Sequence, residues 1–146
     1  MKLSIKIDKS VKETEVIIIS NEMNEEVENL SKLINSNGAN RIIGKNDDEV
    51  ILLDLKEVVR FYSLNKKVYV YTTKGEYEVN KRLYELEEIL DKNHFVRVSN
   101  TDIVSLNHVK RLDFSFKGTI AIEFEIGDCV YVSRSYLKEF KRILGM

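Results

Sequence analysis

Val68-Tyr69-Val70-Tyr71-Thr72-Thr73-Lys74-Gly75-Glu76-Tyr77-Glu78-Val79 decides the architecture. Two runs of β-branched and aromatic residues flank Thr73-Lys74-Gly75, where glycine can supply a positive φ, so the segment reads as a β-hairpin. Similar short runs lie upstream at 41–43, 49–53 and 58–63. Downstream, 95–98, 102–104, 110–116, 119–125 and 129–132 read as further strands, with turns at Phe116-Lys117-Gly118 and Ile126-Gly127-Asp128. Two helices interrupt them. One is expected over 82–91, burying Leu83, Leu86, Ile89 and Leu90. The other runs from 133 to 144, with Ser133 as N-cap and Leu137, Phe140, Ile143 and Leu144 on its apolar side. Many short strands with few helices make a mainly β, α+β fold. A doubly wound α/β sheet needs regular strand–helix alternation, which is lacking. So is an adjacent helix pair that could form a helix-turn-helix.

Ahead of residue 46 the pattern changes. Residues 3–7 alternate polar and apolar, and Glu15-Val16-Ile17-Ile18-Ile19 reads as a second strand. A helix should follow, capped by Ser20 or Asn21, with Met23, Val27, Leu30, Leu33 and Ile34 on one face and a stop at Asn35-Ser36-Asn37-Gly38. Residues 1–45 are therefore expected to be a small β-β-α unit, and residues 46–146 a separate β-rich domain. The first is too small to bury a good core alone.

The 146 residues are 43% apolar with a net charge of −1. That composition fits a folded globular chain, and it requires any nucleic-acid surface to be assembled by the fold. No apolar run approaches the length of a membrane helix, and the N-terminus lacks a signal-peptide core. The single cysteine, Cys129, fits a reducing, cytoplasmic setting. His94 and His108 have no metal-ligand spacing around them. No phosphate loop or nucleophile elbow occurs, so no catalytic residues, metal or cofactor are expected.

The informative polar residues cluster where strands end. Phe95-Val96-Arg97-Val98-Ser99-Asn100-Thr101-Asp102-Ile103-Val104-Ser105-Leu106 is answered by Val132-Ser133-Arg134-Ser135-Tyr136. Asn offers a donor and an acceptor together, as adenine's major-groove edge requires. Equally, Asn100 fits a turn. Ser99 and Thr101 suit phosphate contacts or closure of that turn. Arg134 opens a helix, where free N–H groups and a guanidinium both favour an anion; an ordinary surface ion pair is the alternative. Lys66 and Lys67 lie in a strand connection and suit phosphates or plain solvation. Arg97, inside an apolar strand, reads as structural.

Residues 46–145 resemble the LytTR domain of bacterial transcription regulators. That family's pattern includes Phe-x-Arg-x-His-[Arg/Lys/Asn]-Ser-x-x-Val-Asn-Leu and a closing Ser-Arg-x-Tyr. Here Phe95-Val96-Arg97, Val104-Ser105-Leu106 and Ser133-Arg134-Ser135-Tyr136 match it. Val68-Tyr69-Val70-Tyr71 with Lys74-Gly75 and Leu83-Tyr84-Glu85-Leu86-Glu87 fall in the same order. The sequence departs from the pattern at Ser99, where the family has His, and at Ser105, where it has Asn.

The resemblance implies a LytTR-like multi-stranded β fold and a sequence-specific regulator of double-stranded DNA, read by loops instead of a recognition helix. Lys66 and Lys67 would serve the first loop, Ser99, Asn100 and Thr101 the second, and Ser133 with Arg134 the helix start. Family members commonly occupy paired repeats, which implies a homodimer. Residues 1–45 are too short for the receiver domain that precedes this one in many relatives. Residues 1–40 are instead expected to dimerise or to bind a regulatory protein. The alternative is a protein-interaction or ligand-sensing module on the same fold, with DNA contact weakened or lost.

Overall fold

The computed structural model describes residues 1–36 and 41–146. The chain divides into two compact units, Met1–Asn37 and Gly38–Met146.

In the first unit the regular element is α1 (Glu25–Ser36). Its cap is Asn24, whose Oδ1 accepts from the Val27 N–H at 3.0 Å and whose carbonyl accepts from Glu28 at 3.0 Å. This is later than the expected Ser20 or Asn21. The Ser20 hydroxyl is used in a local turn, donating to the Glu22 carbonyl at 2.8 Å. Glu25, Glu26 and Glu28 place negative charge at the positive end of the helix dipole.

The expected β-β-α unit reduces to this helix. No strand forms at 3–7 or 15–19, because neither segment has a neighbouring strand to complete its hydrogen-bond ladder. A turn at Asp8–Val11 lies between them. Residues 41–45, expected with this unit, instead belong to the sheet of the second. The helix stop at Asn35-Ser36-Asn37-Gly38 falls partly outside the described residues.

The second unit holds two antiparallel sheets. The larger has seven strands: β1 (Arg41–Asn46), β2 (Glu49–Asp54), β3 (Val58–Leu64), β4 (Lys67–Thr72), β5 (Gly75–Val79), β6 (Phe95–Arg97) and β7 (Asp102–Ser105). Their order is β2-β1-β5-β4-β3-β7-β6. The smaller consists of β8 (Val109–Asp113), β9 (Ile120–Phe124) and β10 (Cys129–Val132), in the order β10-β9-β8. Helices α2 (Leu83–Ile89) and α3 (Arg134–Ile143) complete the unit.

The period-2 alternation of strands sorts side chains onto two cores. Phe61, Val70 and Ile103 join Leu83, Leu86 and Leu90 beneath α2. Val59, Val96 and Val104 face the other way and pack with Ile122, Phe124 and Phe140 of the smaller sheet and α3. Ile103 and Val104 are successive residues, both buried, on opposite faces. Around β3, β6 and β7 the large sheet is therefore covered on both sides, whereas at β1 and β2 Ile43, Val50 and Leu52 are exposed.

One expected core position differs. Ile89 is 60% exposed while Leu90 is buried. The helix ends at Ile89, and Leu90 adopts an extended conformation (φ −78°, ψ 146°). That backbone change turns Leu90 inward in place of Ile89.

Candidate nucleic-acid interface

The hairpin β3–β4 closes through Asn65 and Lys66, both at positive φ (53° and 65°). Leu64 pairs with Lys67, so this is a two-residue turn with the backbone signs of type I′. The geometry holds Lys66 at the tip, exposed to solvent. Lys67 approaches the Glu78 carboxylate only at 4.0 Å. Both lysines are exposed and present charge suited to phosphates.

The turn is fastened to the β6–β7 loop. Ser63 donates its N–H to the Thr101 carbonyl at 2.9 Å. Together the two loops line a groove of about 690 Å³ with Asn65, Lys66, Lys67, Arg97, Asn100 and Thr101. Lys81 and Arg82, which connect β5 to α2, line the same groove. These two cations escaped the sequence reading. Their signal was the adjacent Lys-Arg pair before a helix, which local pattern alone does not distinguish from a solvated connection.

The β6–β7 loop is held by Arg97. Its Nε donates to the Ser99 carbonyl at 2.7 Å and its Nη2 to the Asn100 carbonyl at 2.8 Å. Nη1 donates to Glu87 of α2 at 2.9 Å. Arg97 is thus a structural arginine, as its place in an apolar strand suggested. The hydroxyls of Ser99 and Thr101 are used to close the turn: both donate to Asp102 Oδ2, at 3.2 Å and 2.6 Å. Asp102 would repel phosphates at a DNA-facing loop. Arg60 offsets it, pairing with Asp102 at 2.8 Å and with Asp128 at 2.9 Å.

Asn100 is exposed at the loop tip. Its side-chain oxygen accepts from the Tyr136 hydroxyl at 3.1 Å. An amide oxygen has two lone pairs. One remains, and the amide N–H groups face away from that bond, so the donor–acceptor edge is retained. Tyr136 belongs to the first turn of α3. A second tie links the segments, with Ser133 N–H donating to the Val98 carbonyl at 2.9 Å.

Ser133 occupies the N-cap of α3, but its side chain makes no capping bond. The first turn carries no acidic residue, so the positive helix end is uncompensated. Arg134 is exposed and has no carboxylate partner among the described residues. Its guanidinium passes close to Gly118, where an added Cβ would lie 3.6 Å from Nε. The expected site residues are thus drawn from three segments that hydrogen bonds bring together. Ser99 and Thr101 are spent on the loop, whereas Lys66, Asn100 and Arg134 are presented outward.

Comparison with known proteins identifies the family. The family profile described as the LytTr DNA-binding domain matches residues 48–145. This chain belongs to the LytTr DNA-binding domain family. Membership gives DNA as the class of partner; the family is not an enzyme class. Among solved structures, the LytTr DNA-binding domain of a methyl-accepting/DNA response regulator from Bacillus cereus superposes with a TM-score of 0.72 at 28% identity, covering 73% of this chain and 98% of that domain.

Proteins of Staphylococcus aureus described as HTH-type transcriptional regulators, for example from strains COL and MW2, are 29% identical over 147 residues, spanning 100% of this chain and 99% of theirs. In the LytTr member described here, helices α1 and α2 are separated by five strands, as are α2 and α3. No consecutive helix pair exists among the described residues.

Elsewhere in the chain, no group of three His, Cys, Asp or Glu side chains is placed to hold a metal ion among the described residues. No helix among them is long and apolar enough to cross a membrane. Cys129 lies on β10 with its residue exposed, though its thiol is partly desolvated. Burial, then the Glu123 and Asp128 carboxylates, raise its thiol above the ordinary range.

Proposed function

We propose that the chain is a sequence-specific transcription regulator that grips double-stranded DNA at the groove end of its larger sheet. Lys66 and Lys67 fix register on phosphates. Asn100 and Arg134 read base edges, Asn100 suiting adenine and Arg134 suiting guanine. Ser133 and the first N–H groups of α3 add a phosphate contact. Ser99 and Thr101 act by shaping the loop. The observation that carries this reading is the Tyr136–Asn100 hydrogen bond, which joins the two base-reading segments across 36 residues of sequence.

The names of the S. aureus relatives support regulation of transcription as the role. The intracellular setting, the paired sites and the homodimer belong to the same proposal. Residues 1–37 serve as its dimerisation unit, in preference to a site for a regulatory protein. Selection from a random duplex pool tests the whole. Enrichment of a repeated half-site is expected, and recovery of no consensus counts against sequence-specific binding. A salt titration should show affinity falling linearly on a log–log plot, with a slope set by the phosphate contacts. Removing residues 1–40 should lower the mass seen by light scattering from that of a dimer to that of a single shortened chain.

A further inference from the structure

Two segments of the first unit have strand sequences and no strand partner. Leu3, Ile5 and Ile7 are 85%, 77% and 84% exposed, and Val16, Ile17 and Ile19 are 59%, 70% and 92% exposed. Monomeric surfaces scatter such residues singly; here they recur at every second or successive position. The turn at Asp8–Val11 would allow the segments to fold back on each other, yet they do not pair. An isolated hairpin is marginal in water, and α1 alone, at 12 residues, is marginal too. One copy lacks the core to hold them.

We infer that residues 3–7 and 15–19 become β-strands by pairing between two copies of this chain, with 3–7 of one lying antiparallel to 15–19 of the other. This deepens the reading of residues 1–37 as a dimerisation unit and rests on it. Register and charge suit this pairing, and within one copy the segments stay unpaired. Pairing Ile5 with Val16 places Leu3 opposite Ile18 and Ile7 opposite Thr14, giving one apolar face. The same register sets Lys6 opposite Glu15 on the other face, an opposite-charge cross-strand pair. The parallel arrangement that aligns Ile5 with Ile17 instead sets Leu3 against Glu15. Area agrees as well. Each buried aliphatic side chain removes about 60–120 Å² from water at about 25 cal/mol per Å². The five on the paired apolar face, Leu3, Ile5, Ile7, Val16 and Ile18, remove about 300–600 Å² per copy, against about 800 Å² per partner in a standard interface. The backbone ladders supply more.

The test is a designed cross-link in the full chain. Ile5→Cys and Val16→Cys are introduced together with Cys129→Ser and oxidised mildly. Opposite residues in an antiparallel ladder have a Cα separation that accepts a disulfide. The expected product runs at twice the chain mass under non-reducing denaturing conditions. A bridge that closes within one chain overturns the inference, as does no bridge at all.

A second measurement avoids substitution. In the unaltered protein, amide hydrogen exchange at 3–7 and 15–19 should be slow while the mass is that of a dimer, and should quicken on dilution to monomer. Fast exchange in a protein whose mass is dimeric overturns the strand pairing and leaves dimerisation itself standing. A monomer at all concentrations overturns both.

Discussion

The turn at 64–67 and the loop at 97–102 line one groove and are built in opposite ways. In the loop, nearly every polar atom has a fixed partner. Arg97 holds two carbonyls, Asp102 gathers two hydroxyls, and Tyr136 holds the Asn100 amide. In the turn, the backbone is fixed by its two positive φ angles, but the lysine side chains are exposed and held by no contact closer than the 4.0 Å approach of Lys67 to Glu78. A base edge must be met within a fraction of an ångström and at a set angle, so its reader is preorganised. A phosphate is a diffuse charge on a regular backbone, and a flexible cation suffices. The contrast predicts that damage to the loop costs discrimination, whereas damage to the turn costs only electrostatic affinity.

Arg97→Ala should break the comparison most severely. It removes three hydrogen bonds from a charged donor, each worth about 1.5–3 kcal/mol before coupling. The expected loss is about 2–4 kcal/mol of folding stability by denaturant titration, with cognate affinity falling to the level of random duplex. Retention of cognate preference would mean that the loop keeps its shape without the arginine. Arg134→Ala ranks next. It removes one base contact and leaves the loop alone, so a loss of about 1–3 kcal/mol at the cognate site is expected. Base preference should relax at one position, read by competition binding, with thermal stability unchanged. Unchanged binding at every site would remove Arg134 from the interface.

The strands of the second unit were legible because each carries its own alternation and turn residues. Val68–Val79 announces its hairpin through Gly75 alone. Ile89 was misplaced because periodicity does not reveal where a helix stops, and a one-residue difference exchanges it with Leu90. Residues 3–7 and 15–19 carry a strand signal that a single copy does not fulfil. Alternation signals a strand, but a strand also needs a neighbour, and the chain supplies none within one copy. At the candidate site, the family pattern singled out Asn100 and Arg134 as candidates. The loop-building role of Ser99 and Thr101 and the Tyr136 bond depend on contacts across the fold, which no local reading supplies.

Tyr136→Phe sharpens the contrast with a smaller effect. The ring stays, and with it the approach of the Arg97 guanidinium to its centroid at 6.0 Å. Only the hydroxyl is lost, freeing the Asn100 amide to rotate. Discrimination at the base read by Asn100 should fall by about 1 kcal/mol, typical of one hydrogen bond, while affinity for random duplex and the salt slope hold. A uniform loss on all sequences would indicate a packing role instead.

The smallest effect is expected at the turn, and there two variants separate backbone from charge. Lys66 occupies left-handed space at φ 65°, which costs a side-chain-bearing residue about 1–2 kcal/mol relative to right-handed space. Lys66→Ala removes the charge and keeps that strain. Lys66→Gly removes the charge and relieves it, against a smaller loss of chain entropy. Both should reduce the log–log salt slope by about 1 and weaken cognate and random duplexes equally. Their stabilities should differ, with the glycine variant at least as stable as the parent. Were either variant to change which base is preferred, the turn would be a reader after all, and the division of labour between the two loops would fail.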